Sequence, residues 1–330
     1  MQRRPTLADV AERAGVSRAL VSIVMRDVAG ASDQTRERVR RAADAIGYRP
    51  DPRARRLRQH RTRLIGLTFE AGQEFHADLV DGVYLAADTQ GYDVVLSAVT
   101  PHRDEPRALR TLIDDRCEGL VAIGSRLPAR ELTELASRVP LVVLTRRVRG
   151  VDAVRSDDVA GAMAGMEHLV GLGHRRIVYL DGGRAPGAAE RLRGYRKAAK
   201  SAQLPEMVCP GGLTEREGAA AAMAMLESRQ LPEAVFAFND RCALGVLDVF
   251  IRSGVPVPQQ VSVMGFDDSP LAGLAHIQLT TVRQDSAGLA SAAVERMVAR
   301  MDGVVTGGSA VDIVRRPTLV VRGSTAASTR

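Results

Sequence analysis

Two sets of residues in this 330-residue chain could do chemistry, and they lie in different parts of it. The first set is arginine. Residues 1–63 hold sixteen Arg and no Lys against seven Asp and Glu, a local charge of +9, whereas residues 64–330 carry thirty basic and thirty-two acidic residues. The whole chain's excess of +7 therefore comes from this short segment. A small basic module on a near-neutral body is the electrostatic footprint of a polyanion binder. Within it, Arg18 can form the bidentate pair with guanine that is the commonest specific base contact, while Ala19 and Ile23 can offer apolar contact to a thymine methyl. The second set follows apolar runs in the body: Phe75, His76, Ser125, Thr145, Arg146, Asp181, Asn239, Asp240, Asp267 and Asp268. Polar side chains of this kind form directional hydrogen bonds to the hydroxyls of a small ligand.

Each set needs elements to hold it. In the head, Thr6 can cap a helix, with Asp9 placed where a negative charge meets the positive end of the helix dipole. Leu7, Val10, Ala11 and Ala14 recur at helical spacing until Gly15 breaks the pattern. Ser17 can cap a second helix from Arg18 to about Met25. Ser32 can cap a third that runs to about Ile46, with Gly47 as its stop. A helix, a Gly-containing turn and a second capped helix make a helix-turn-helix, whose second helix enters the major groove. This order predicts that Arg18, Ala19, Ser22 and Ile23 face base edges and that Leu20, Val21 and Val24 pack inward. Ser32, Thr35 and Arg36 are placed for phosphates. The competing reading, a three-helix bundle with solvated arginines, does not account for the concentration of charge.

Beyond the head, RPDPRARRLRQHRTR offers Asp51 as a cap, Pro52 at a first helical position and Leu57 as its one large apolar side chain. So short a helix is marginal alone in water. An apolar wedge among arginines suits the minor groove, where such side chains unstack base steps. A flexible basic linker is the simpler alternative.

The segment TLADVAERAGVSRALVSIVMRDVAGASDQTRERVRRAADAIGYRPDPRARRLR resembles the DNA-binding head of the lac repressor-like (LacI/GalR) family. The resemblance implies base or backbone contacts for Thr6, Ser17, Arg18, Ala19, Ser22, Ile23, Arg26, Ser32, Thr35 and Arg36. It also implies a hinge helix containing Ala54 and Leu57, with Leu57 as the minor-groove lever. Where that family usually has TVSRVLN this chain has LVSIVMR, so Ile23 and Arg26 replace an Arg and an Asn, which points to a different operator sequence.

In the body, LIGLTF, YDVVLSAV, GLVAIG, LVVL, RIVYL, AVFAF and VSVMGF read as buried strands. Helical stretches fall at 75–90, 104–115, 128–137, 158–171, 189–201, 216–228 and 240–253. Strands alternating with helices predict parallel sheets. The layout resembles the same family's periplasmic sugar-binding-protein-like body: two doubly wound α/β subdomains with a cleft between. The expected organisation is a helix-turn-helix domain at 1–49, a hinge at 50–63 and an effector-binding and dimerisation domain at 64–330. The resemblance divides that domain into about 64–156 with 284–314, and 157–283 with 315–330. Ligands of open α/β sheets bind beyond the carboxyl ends of the strands, which makes Phe75, His76, Ser125, Arg146, Asn239 and Asp267 candidates. The resemblance adds Arg191 and an apolar stacking position at Leu213, and singles out Asn239 and Asp267. Asp158 and Asp268 could instead cap helices, and Arg191 could merely pair with Glu190 or Asp181.

Several classes are excluded. No apolar run approaches the roughly 20 residues of a spanning helix. MQRRPTLADV has no apolar stretch of a secretory signal. Three scattered cysteines do not make a disulfide framework, so a cytoplasmic protein is expected. The chain has no GK[ST], GxGxxG after its first strand, HExxH or GxSxG. His168 and His174 lack a Cys partner for a metal, and neither metal nor cofactor is expected. These readings together predict a ligand-responsive regulator of palindromic operator DNA, a repressor and homodimer switched by a sugar. A carbohydrate- or nucleotide-acting α/β enzyme with a basic extension is the alternative.

Overall fold

The computed structural model describes residues 5–25, 27–49, 61–228, 230–304 and 310–328. The chain forms two compact units, Met1–Thr62 and Arg63–Arg330.

The first unit is helical: α1 (Leu7–Ala14), α2 (Arg18–Met25) and α3 (Asp33–Ala45). Thr6 donates to the Asp9 carboxylate through both its N–H and its hydroxyl, 2.6 and 2.8 Å, which fixes the start of α1. Ser17 Oγ accepts from Leu20 N–H at the start of α2, and Ser32 Oγ accepts from Thr35 N–H at the start of α3. Gly15 ends α1 at φ +60°, the left-handed conformation that favours glycine. Val10, Val21, Val24, Val39, Ala42 and Ala43 share one core, with Tyr48 packed on its edge. Leu20 departs from expectation. It is only half-buried, and Met25 packs on the core instead.

The second unit holds two parallel sheets. The larger has six strands in the order β11-β5-β4-β3-β1-β2: β1 (Leu64–Glu70), β2 (Asp93–Val99), β3 (Gly119–Ile123), β4 (Leu141–Leu144), β5 (Asp152–Ser156) and β11 (Asp312–Arg315). Its helices are α4 (Glu74–Thr89), α5 (Glu105–Asp114), α6 (Ala129–Ala136) and α11 (Ser286–Met301). The smaller has the order β7-β6-β8-β9, with β6 (Ile177–Asp181), β7 (Met207–Pro210), β8 (Ala234–Ala237) and β9 (Ser262–Met264). Its helices are α7 (Asp158–Gly171), α8 (Ala188–Ser201), α9 (Glu215–Glu227) and α10 (Asp240–Arg252). A separate antiparallel pair joins β10 (Thr281–Arg283) to β12 (Thr318–Val320). Apolar clusters cover both faces of each sheet, as parallel strands require.

The chain passes between the two halves at Asp157, around Gln284–Asp285 and at residues 316–317, because β5 and β11 pair in one sheet whereas α7 and β12 pack in the other half. Five strands and one helix were not read from the sequence: β5, β7, β10, β11, β12 and α11. The periodicity of α11 was legible, with Leu289, Ala290, Ala293, Val294 and Met297 buried along one face. Strand β5, DAVRS, carries two charges and reads as a loop. Its Asp152 is a buried hub that accepts from Arg296, Arg300 and Val311 N–H, with bonds of 2.7 to 3.2 Å. These donors hold its carboxyl down at about 2 against the cost of burial.

Candidate functional site

Parallel strands end on one side of each sheet, and in the body these ends face a common cleft of about 510 Å³ of empty space. It is lined from one half by Glu70, Gln73, Phe75, His76, Arg126 and Thr145. From the other half come Asp158, Ala185, Pro186, Arg191, Leu213, Phe238, Asn239 and Asp267, with Gln284 at the crossover.

Arg191 organises the floor. It lies on the first turn of α8, buried, and every nitrogen has a partner. Nε donates to Asp158 Oδ1 at 2.8 Å, Nη1 to the Phe238 carbonyl at 2.7 Å and Nη2 to Asp267 Oδ1 at 3.3 Å. The guanidinium stacks 3.6 Å above the Phe266 ring and 4.5 Å from that of Phe238. Such a stack suits a planar cation that is weakly hydrated. Burial pushes the Asp267 carboxyl up to about 6, and the Arg191 charge and the Gln284 amide counter that push. Gln284 Nε2 donates to the same Oδ1 at 2.8 Å, so both neighbours take Oδ1 and neither takes Oδ2. The Asp267 backbone sits at φ +115°, uncommon for a residue with a side chain. Its N–H is held by the Val282 carbonyl at 2.8 Å. Asn239 is the cap of α10: its Oδ1 accepts from Cys242 N–H, and its Nδ2 donates to the Leu213 carbonyl at 3.1 Å. One cap residue thus ties the apolar position at Leu213 to the polar floor.

His76 supplies the opposite wall. Its Nδ1 accepts from Glu70 N–H at 3.2 Å, so the proton sits on Nε2. Burial lowers its pKa to about 4, and the ring is a neutral donor at pH 7. It lies against Gly124, at φ +63°, where any Cβ would collide with the imidazole. Arg126 pairs with Glu70 at 2.9 Å. Both arginines of the cleft are therefore already neutralised by carboxylates, and the cleft presents acceptors and a neutral donor to its ligand.

Six of the eight residues expected to touch a ligand line this cleft: Phe75, His76, Arg191, Leu213, Asn239 and Asp267. The geometry corrects the other two. Ser125 is buried, and its Oγ is turned to Leu127 N–H within its own loop. Arg146 points its Nη2 at the Leu127 carbonyl and does not line the cleft, whereas its neighbour Thr145, at φ +80°, does. Asp158, whose sequence position allowed either a cap or a ligand contact, lines the cleft, and so does Gln284, which the sequence reading did not single out. Asp158 is not a cap, since Asp157 accepts from Ala160 N–H and caps α7. Asp268 is tied to Arg283 and Arg322 at 2.5 and 2.6 Å and caps no helix.

In the helical unit, Arg18 and Ala19 are exposed and adjacent at the start of α2, with Ser22 and Ile23 half-buried one turn on. Arg36 is corrected. Its guanidinium binds Asp27 at 3.1 Å and the Val28 carbonyl, so it holds the α2–α3 loop. Thr6, Ser17 and Ser32 cap helices, and Thr35 bonds Ser32 at 3.0 Å. Arg26, Ala54 and Leu57 lie outside the described residues. No helix among the described residues is long and apolar enough to cross a membrane, and none of their acidic, His and Cys side chains cluster to hold a metal.

Comparison with known proteins places this geometry. Residues 6–51 match the bacterial regulatory proteins of the lacI family, and residues 166–325 match a periplasmic binding protein-like domain. The HTH-type transcriptional regulator GalS of Salmonella typhimurium is 35% identical over 299 residues, 88% of each chain. A LacI transcriptional regulator from Rhodococcus is 47% identical, with a TM-score of 0.76 over 80% of this chain and 98% of that one. The lac repressor dimer bound to operator and the anti-inducer ONPF superposes with a TM-score of 0.84 at 28% identity, over 98% of this chain and 100% of that one.

Proposed function

This chain belongs to the lacI family of bacterial regulatory proteins, and from that premise we propose how its own residues carry the family's ligand-modulated regulation of transcription. The α2 helix reads the major groove of a palindromic operator, with Arg18 on a guanine and Ala19, Ser22 and Ile23 on neighbouring base edges. The three cap residues Thr6, Ser17 and Ser32, with Thr35, lie where helix starts meet phosphates. Arg36 acts indirectly, by holding the loop that presents α3. Leu57, with Ala54, wedges the minor groove between the two heads of a homodimer. The protein binds its effector without turnover, and it works in the cytoplasm, where the operator is.

The effector is an uncharged polyhydroxylated molecule, a sugar. The observation that carries this reading is that Arg191 and Arg126 are already paired while Asp158, Asp267 and the neutral His76 converge on one cleft. Carboxylates accept from hydroxyls, and a buried acceptor left unpaired rejects a ligand that lacks the matching donor. The Leu213, Phe75 and Phe238 side chains offer the apolar contact that a sugar ring face requires. A ligand that prefers one relative arrangement of the two halves shifts operator affinity only by its differential affinity for those arrangements.

A thermal-shift screen of neutral sugars, sugar phosphates and nucleobases tests this directly, since a ligand of the folded state raises its stability. A neutral sugar should raise the melting temperature of the wild type and release or reinforce operator binding. Asp267→Ala should abolish both responses and keep operator binding in the absence of ligand. A hit confined to sugar phosphates would overturn the reading, and an unchanged response of the variant would show that the site is elsewhere.

A further inference from the structure

Arg241 sits two residues past the cap Asn239, on the first turn of α10, and takes no part in the floor of the cleft. Its position is set by an unusually close helix pair. Gly218 on α9 and Gly245 on α10 let the two backbones touch; a Cβ at the first would strike the Cys242 carbonyl and at the second the Glu215 carbonyl. That approach brings Glu215, at the start of α9, under Arg241. The carboxylate grips the guanidinium from two sides, Oε1 to Nε and Oε2 to Nη2, each at 2.7 Å. A bidentate grip fixes the plane of the fork. It leaves Nη1 aimed out of its own half, and Nη1 donates to the carbonyl of Gly72, in the loop between β1 and α4 of the other half.

That loop joins the two elements that carry one wall of the cleft. The wall runs from Glu70 at the end of β1, which pairs with Arg126, through Gln73 in the loop to Phe75 and His76 on the first turn of α4, all lining the cleft. Just beyond Gly72, Glu74 carries a buried Oε2 with no partner, and its charge reinforces Arg241 together with that of Glu215. A cation that spans the two halves, braced by Glu215 on one side and bonded to the Glu70–His76 segment on the other, holds the halves together only when they are closed.

We propose that Arg241 is a latch: a positioning residue that holds the Glu70–His76 wall against the other half and thereby sets how much of the protein is closed before ligand arrives. The latch rests on the cleft being the effector site, but its operation does not need the effector's identity. Ligand that binds the closed form gains affinity in proportion to the population already closed. A charge-assisted hydrogen bond is worth about tenfold in such an equilibrium.

Hydrogen exchange on the full-length, ligand-free protein tests it. The amides of Ala71, Gln73 and His76 are bonded to Val99, Glu70 and Gln73 carbonyls, so their exchange reports the state of the wall. Arg241→Met keeps the stem and removes the donors. It should raise exchange across residues 70–76 about tenfold and leave β6 and β8 of its own half unchanged. Glu215→Gln should reproduce the effect, because the unbraced fork loses its aim. Unchanged exchange in 70–76 would overturn the latch. So would equal loosening of β6 and β8, which would make Arg241 a strut within its own half. Neither result touches the cleft assignment, which fails only if the sugar response of Asp267→Ala matches wild type.

Discussion

Asp240 shows how much one side chain depends on its surroundings. It follows the cleft residue Asn239, yet its carboxylate faces inward and accepts from Thr281 Oγ1 and Ser269 N–H, both at 2.6 Å. Burial and the nearby Asp267 charge push its pKa up to about 7. A folded-state value above the unfolded one means that the native protein keeps a proton the unfolded chain has released. The stability this group contributes is therefore present below about pH 4 and lost as pH rises to about 7. His76 works in the opposite sense. Its folded value of about 4 makes stability rise between about pH 4 and 6.5. A single pH curve would mix the two, so the measurement is a difference. Asn at position 240 keeps one acceptor, and the Thr281 hydroxyl can turn to accept from the amide. Denaturant unfolding of Asp240→Asn and wild type at pH 5 and pH 8 should show the variant gaining on wild type at the higher pH, by on the order of 1–3 kcal/mol. A gap independent of pH would mean that Asp240 does not titrate in this range.

At the scale of elements, short helices survive here because their ends are satisfied. Helices α1 and α2 have eight residues each, too few for stability in water alone. Thr6 with Asp9, and Ser17, occupy otherwise orphaned donors, and Val10, Val21, Val24 and Val39 bury the shared face. That packing settles which side of α2 stays outside: Arg18 and Ala19 lead the exposed face because Val21 and Val24 are spent on the core. Arg18→Ala should cost about 1–3 kcal/mol on the preferred operator and relax specificity at one base pair per half-site. Competition binding against a library of half-site variants checks it. An equal loss on random DNA would show that Arg18 touches only phosphate. The same logic of satisfied ends serves the cleft, where the cap of α10 itself lines it and the cap of α7 precedes the lining residue Asp158.

For the molecule as a whole, the body carries exposed apolar side chains on both halves. Tyr84 and Leu85 on α4 and Leu96 on β2 lie on one half, and Ile251 on α10, Leu271 and Leu274 lie on the other. Ile251 borders a groove with Leu244, Val257 and Ile277. Apolar side chains left at the surface are the ones that an interface between copies would cover. The proposed homodimer, if formed through the body, would offer two heads to two half-sites, so that operator affinity would depend on assembly. Leu85→Asp combined with Ile251→Asp should convert the protein to monomer in sedimentation and lower operator affinity at least tenfold, with the ligand-induced thermal shift retained. A variant that stays dimeric would place the interface elsewhere. Operator affinity should also fall steeply with salt, because the head's arginines displace counterions from phosphates.

What the sequence determined by itself is local or cumulative. The charge of the head, its three capped helices and the apolar runs of the main strands are written in neighbouring residues, and the polar residues that follow those runs locate the cleft. The tertiary structure alone decided which way each strand-end side chain points. Thr145, at a left-handed backbone angle, lines the cleft and Arg146 does not, and nothing in the composition of LVVLTRR marks that angle. Asp158 and Gln284 both line the cleft because each lies beside one of the chain's three passages between the halves, which brings residues over a hundred positions apart onto one floor. β5 was illegible for the same reason. Its Asp152 and Arg155 are tolerable in a strand only when Arg296, Arg300 and Asp312 arrive from the far end of the chain to pair with them. Charge in a buried strand is costly until it is paired, and the partners are supplied by the fold.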